Sequence, residues 1–229
     1  MLYNKNMEKM FLTPEQLVDI LANNEYVGRG TTSIIIKLDE NNLLKFCYKD
    51  FISVLHKKNN KFNITNVNDL IRVLSLHKNV MEIMKQNGIV RQIDLIEELV
   101  GKQPDVKKTS LTQGVVLCNG CMVGYLLKYH KNMVNLYDYL KDNELKNKEK
   151  KIVLANIEDA MLELIENGIY LKDFTTHNIM YNPKTQDVQI IDFEDAFSLR
   201  EPNHKDGIRI MENQFKDIKD FIKNNTLSL

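Results

Sequence analysis

The period of apolar and polar positions switches repeatedly along this chain between that of helices and that of strands, and the changes divide it into strand-rich and helix-rich parts. Thr13-Pro14-Glu15-Gln16 predicts a helix start, with a Thr cap, Pro in the first turn and Gln closing a capping box, and the helix runs to about Ala22. From Tyr26 to Tyr48 the pattern becomes that of strands: VGRGTTSIIIKL, a polar turn at Asp39 to Asn42, then LLKFCY. Helical spacing returns over Asn66 to about Lys85, with a break expected near His77 to Asn79. Val90 to Leu99 is apolar without a clear period, and GKQPDVKKTSLTQ after it reads as an exposed loop.

Gly114 to Cys118 and Cys121 to Tyr129 predict a hairpin closed by Asn119-Gly120, a dipeptide suited to a two-residue turn. Lys146 to Gly168 predicts a long amphipathic helix burying Ile152, Leu154, Ala155, Ile157, Ala160, Met161, Leu164 and Ile165, with Gly168 as its stop. Two short strands, Ile179 to Tyr181 and Val188 to Ile191, flank the turn-forming NPKTQD, and a last helix spans Asn213 to Lys223. Strands with one helix first and mainly helices afterwards predict an α+β chain of two lobes, 1–129 and 130–229.

Composition narrows the partners. Lys plus Arg and Asp plus Glu both number 31 in 229 residues, so the net charge is zero and no nucleic-acid partner is called for. There is no signal-peptide pattern at the start and no stretch long and apolar enough to span a bilayer, so no membrane partner and a cytoplasmic location are expected. Cys47, Cys118 and Cys121 make an odd count that suits a reducing compartment. Cys118-Asn119-Gly120-Cys121 is a CxxC, but one pair supplies only two of the four ligands of a structural zinc site, and the hairpin accounts for the spacing.

Candidate chemistry lies in four places. Gly28-Arg29-Gly30-Thr31-Thr32-Ser33 is a glycine-bearing loop between strands, where backbone N–H groups can approach phosphate oxygens closely. Lys45 follows on the next strand and could reach back to a ligand of that loop. In GIYLKDFTTHNIMYN, Asp173 and Asn178 stand five apart before a strand, and fourteen residues later VQIIDFEDAF ends an apolar strand on Asp192. Phosphoryl transfer needs a carboxylate to orient the attacking hydroxyl and oxygen ligands for magnesium, and Asp173, Asn178 and Asp192 are of the right types.

Taken in order, these motifs resemble the protein-kinase-like superfamily. VGRGTTSII is similar to its GxGxxGxV loop with Ser33 at the third glycine, LLK to its strand lysine, YLKDFTTHN to HRDxxxxN, and IDFE to the DFG segment. The resemblance implies a small antiparallel-sheet lobe and a mainly helical, shortened second lobe that take ATP and Mg2+ between them. It implies that Gly28, Gly30 and Ser33 cradle phosphates, that Lys45 contacts them and that Asp173 is the catalytic base. Asn178 and Asp192 would bind magnesium, and Leu127 to His130, with Leu127 and Tyr129, would read the adenine edge. Glu82 is the first choice of acid to pair with Lys45, with Asp69 as the alternative.

Departures from the pattern shape the functional expectation. Leu171-Lys172 precede Asp173 where the family has His-Arg, Thr175 stands where Ser/Thr kinases carry lysine, and Glu194 replaces the glycine of DFG. Only Ser198 bears a hydroxyl between Asp192 and Gly207, so control by activation-loop phosphorylation is not expected. Asp-Phe-Glu also resembles choline and aminoglycoside kinases, although only 37 residues follow Asp192 to build a small-molecule site. The expectation is a minimal Ser/Thr protein kinase, with a small-molecule kinase or a nucleotide-binding pseudokinase as alternatives.

Overall fold

The computed structural model describes residues 7–30, 32–49, 52–53, 66–76, 93–102, 106–193, 197–198 and 204–225. The fold is α+β, built on a mixed sheet of six strands, and the chain groups into two units. One contains Met1–Val100 and Thr112–Lys131, the other Gly101–Leu111 and Asn132–Leu229.

In the first unit β1 (Glu8–Leu12) precedes α1 (Pro14–Asn23), whose capping box forms as expected: Gln16 N–H donates to Thr13 Oγ1 and Thr13 N–H to Gln16 Oε1. Then come β2 (Glu25–Arg29), β3 (Ile34–Lys37), β4 (Asn42–Phe46), α2 (Val67–Leu76) and α3 (Ile93–Lys102), followed by β5 (Gly114–Cys118) and β6 (Cys121–Lys128). The sheet order is β1-β5-β6-β4-β3-β2, antiparallel except for the β1–β5 pair. The Asp39 turn is held by its carboxylate, which accepts from the N–H groups of Asn41 and Asn42, an Asx turn that brings β3 back as β4. At the β5–β6 turn Asn119 and Gly120 have φ of 47° and 75°, the positive pair that a tight hairpin of this hand requires.

Period-two alternation gives the sheet two faces. Ile34, Ile36, Leu44, Phe46, Val116, Cys118 and Val123 join Leu17 and Leu21 of α1 and Leu70, Val73 and Leu74 of α2 in one buried cluster. All three cysteines are buried and none forms a disulfide; burial pushes the Cys118 thiol up to about 11. A thiol held neutral in this way suits packing better than redox or metal chemistry.

The second unit contains β7 (Val134–Asn135), α4 (Leu136–Asp142), α5 (Asn147–Glu166), β8 (Ile169–Tyr170), a 3-10 turn (Thr176–Asn178), β9 (Ile179–Tyr181), β10 (Val188–Ile190), β11 (Phe197–Ser198) and α6 (His204–Asn224). Strands pair as β10-β9-β7 and β11-β8. α5 buries Val153, Ile157, Ala160, Met161 and Leu164, and Gly168 ends it at φ 67°. Ala155, expected inside, is exposed. α6 begins earlier than its sequence pattern suggests, because its apolar stripe of Met211, Phe215, Ile218 and Ile222 continues back to a buried Gly207.

The structure adds two elements that the sequence pattern leaves open and corrects one expectation. β1 was not foreseen; it is an edge strand with Phe11 exposed, and its place is set by β5 rather than by its own pattern. Val90 to Leu99 resolves as helix from Ile93 onward. The segment expected to be an exposed loop buries Val106, Thr109, Leu111 and Thr112. Part of it runs beside β10, with Ser110 N–H donating to Ile190 O (2.8 Å) and Ile190 N–H to Lys108 O (3.1 Å), while Glu163 accepts from the N–H groups of Lys107 and Lys108. Its polar composition reflects backbone groups satisfied by neighbours rather than by solvent.

Candidate active site

In the first unit the glycine loop joins β2 to β3, and Gly30 N–H donates to Ser33 O (2.9 Å) across it. Ser33 is buried, and a Cβ on Gly30 would meet its Oγ at 3.3 Å. Gly28 differs: its backbone is not left-handed and a Cβ there would meet nothing within 4 Å among the described residues. Among the described residues neither torsion nor packing requires glycine at 28, which leaves that backbone open.

Strand register places Lys45 relative to this loop. Gly28 pairs with Ile35, Ile35 with Lys45, and Lys45 with Tyr125, so the glycine and the lysine occupy one cross-strand row two strands apart, about 10 Å. Lys45 is 8% exposed and lies between Leu44 and Phe46, which belong to the helix-covered cluster that does not include it. It therefore projects to the opposite face of the sheet. A buried lysine is uncommon without a partner, and Lys45 has one in the structure. Gly124 sets the approach of β6 to this point, since a Cβ there would stand 2.3 Å from Lys45 O.

Of the expected adenine-reading residues, Leu127 pairs with Leu43 in the sheet, and Tyr129 N–H donates to Asn41 O at 2.7 Å. The Tyr129 amide is thus committed to the β3–β4 turn. Burial, aided by the charge of Lys128, pushes the His130 imidazole down to about 4, and its Nε2 is buried with no hydrogen-bond partner among the described residues. Asp69 lies in the first turn of α2, whereas Glu82 and Glu194 lie outside the described residues.

In the second unit the remaining candidates converge. Asp173, Asn178 and Asp192, with Leu171 and Lys172, line a cavity of about 60 Å3. Asn178 is the hub. Its side-chain amide donates to Asp173 O (2.9 Å) and Asp173 Oδ2 (3.1 Å), while its own carbonyl accepts from Ile191 N–H (2.9 Å), next to Asp192. Asp192 has φ 72°, a left-handed conformation that aspartate tolerates better than most residues, where β10 has ended. The loop of Asp173 is also held from α6: Gln214 Oε1 accepts from Phe174 N–H (3.0 Å) and Gln214 Nε2 donates to Lys172 O (2.8 Å). The sequence reading did not single out Gln214; the signal available was its place on one helix face with Gly207 and Met211.

The donor chemistry fits a hard divalent cation. Because Asn178 gives its N–H groups to Asp173, its amide oxygen is left to join the Asp192 carboxylate as an oxygen ligand. Among the described residues no cluster of three or more His, Cys, Asp or Glu side chains could hold a metal, so any cation here would depend on that amide oxygen and on oxygens from its ligand. A larger cavity of about 270 Å3 in the first unit is lined by Tyr26, Arg29, Ile34, Tyr48, Asn66, Val67 and Leu70. None of these described residues is a carboxylate, and the Arg29 guanidinium donates to Tyr48 Oη.

A scan against protein-family models returns no match for this chain, and a search of curated proteins returns none either. No helix among the described residues is long and apolar enough to cross a membrane.

Proposed function

We propose that this chain is an ATP- and magnesium-dependent phosphotransferase that delivers the γ-phosphoryl group to a hydroxyl acceptor, in the first place a Ser or Thr side chain of a protein. The observation that carries the reading is the Asp173–Asn178–Asp192 arrangement, in which the Asn178 amide orients the Asp173 carboxylate and Asp192 lines the same small cavity. Bound MgATP would supply the transferable group and the charge neutralisation. Asp173 accepts a hydrogen bond from the acceptor hydroxyl and takes its proton as the new bond forms. Asn178 holds Asp173 in place and, with Asp192, supplies oxygen ligands for the cation. Lys45, in the same cross-strand row as Gly28, neutralises phosphate charge, and the open backbone at Gly28 admits close approach of phosphate oxygens.

The Asp192-Phe193-Glu194 sequence favours a second reading, a small-molecule kinase with the same chemistry and a different acceptor. Purified protein incubated with magnesium and γ-labelled ATP against protein, choline and aminoglycoside acceptors decides between them. Label transfer that is lost in Asp173→Asn supports the reaction and names the acceptor class. Nucleotide binding without transfer to any acceptor would leave a pseudokinase, and absence of both would overturn the proposal.

A further inference from the structure

α6 meets the segment leading into and past Asp173 with a single face. Gly207, Met211 and Gln214 are spaced i, i+4, i+7 and fall on one side of the helix. Gly207 lets the helix backbone close on Tyr170, where a Cβ would meet Tyr170 Cβ at 2.7 Å. Met211 Sδ lies 3.3 Å from Leu171 N, and Gln214 then brackets the aspartate, bonding the carbonyl before it at Lys172 and the N–H after it at Phe174. A primary carboxamide is suited to this task because it presents one acceptor and one donor, matching the opposite needs of the two peptide groups.

We propose that Gln214 is a positioning residue for phosphoryl transfer, acting through Asp173; the inference rests on the reading of Asp173 as the base. With Phe174 buried and the peptide groups on both sides of Asp173 tied to a helix, the Cα–Cβ direction of Asp173 is fixed from behind, while Asn178 fixes its carboxylate from the front. The two restraints are complementary: Asn178 alone orients the carboxyl group, but a loop free to shift would carry that pair away together. Displacement of a reacting group by about 1 Å is enough to cost on the order of 10²-fold in rate.

Steady-state transfer by the parent, Gln214→Met, Asp173→Asn and the double variant tests this. Methionine keeps the length and packing of glutamine and removes both hydrogen bonds. Gln214→Met should lower kcat on the order of 10- to 100-fold while KM for MgATP stays within about twofold, because the helix contacts the base loop and not the nucleotide. Added to Asp173→Asn it should cost nothing further, since its effect is transmitted through the missing carboxylate. Gln214→Glu provides a second variant: it keeps the acceptor for Phe174 N–H but sets an oxygen against Lys172 O, so its kcat should fall between parent and Gln214→Met. A parental kcat in Gln214→Met, alongside an inactivated Asp173→Asn, would overturn the inference and leave the reaction standing. Losses that multiply in the double variant would also overturn it. An Asp173→Asn protein as fast as the parent would remove the phosphotransfer reading, and the inference with it.

Discussion

The side-chain amide of Asn178 reaches back five residues to donate to both the backbone carbonyl and the carboxylate of Asp173, at 2.9 and 3.1 Å. One residue thereby fixes the orientation of the candidate base and, through its own carbonyl on Ile191 N–H, the strand end that carries Asp192. This coupling predicts how the two halves of the proposed reaction separate under mutation.

Asp173→Asn preserves size and removes the basic oxygen. Transfer should fall on the order of 10²-fold or more, the scale of losing a positioned base, while MgATP affinity remains near the parent value. Single-turnover transfer at saturating ATP, with autophosphorylation followed in parallel, is the measurement; equal rates would take Asp173 out of the chemistry. Phosphatase treatment of the parent should leave its rate unchanged.

Nucleotide binding should be visible in stability. MgATP at 100 times its Kd should add about 2.7 kcal/mol to the folded state, raising Tm. Lys45→Met should shrink that shift, and Asp192→Asn should shrink its magnesium-dependent part and abolish transfer while the apo protein still folds. An Asp192→Asn protein with parental turnover would exclude Asp192 as a metal ligand.

Two glycines should respond oppositely to one methyl group. Gly124→Ala places a Cβ 2.3 Å from Lys45 O, so β6 and β4 must separate, at a cost of about 3 kcal/mol or more by denaturant unfolding. Gly28→Ala meets no atom of the described residues within 4 Å and should leave stability within about 1 kcal/mol of the parent while weakening MgATP. Unchanged nucleotide affinity in Gly28→Ala would mean that the open space at this backbone is not used by phosphate.

Lys150 is buried near the start of α5 and donates from Nζ to the carbonyls of Lys223 (3.1 Å) and Asn225 (2.7 Å), closing the C-terminal end of α6. Lys150→Met would leave those carbonyls without the charged donor, costing about 2 kcal/mol of stability. Because α6 also carries Gln214, the variant should retain transfer below its lowered Tm, which separates a stability role from a positioning one.

Stability should also depend on pH through His130. Its folded pKa lies at about 4, below the ordinary value of 6.5, so between those values the unfolded chain takes up a proton that the folded chain refuses. The contribution is therefore fully present above pH 6.5 and is lost as the pH falls toward 4. Allowing for solvent screening of a partly exposed ring, the loss is about 1–2 kcal/mol. Urea unfolding at pH 7.5 and 5 should show a smaller difference for His130→Gln than for the parent; equal differences would rule the residue out as the source.

Local rules made much of this chain legible from its sequence. The capping box at Thr13, the Asx turn at Asp39, the Asn119-Gly120 hairpin and the stop at Gly168 depend on the torsions and hydrogen bonds of a few adjacent residues, and each forms where the pattern places it. The spacing that singled out Asp173, Asn178 and Asp192 was likewise readable, because a short turn and a hairpin bring them to one small cavity. What lay beyond the sequence depends on partners far along the chain. β1 exists because β5 offers an edge, and the polar segment at 106–112 is buried because β10 and Glu163 satisfy its backbone. Lys45 shares a row with Gly28 only through the register of three strands. Gln214 is unremarkable in sequence, forty residues past Phe174, and gains its place when α6 packs its glycine-bearing face against Tyr170. Periodicity reports which face of an element is apolar; it does not report which distant element that face will meet, and only the packed structure decides that.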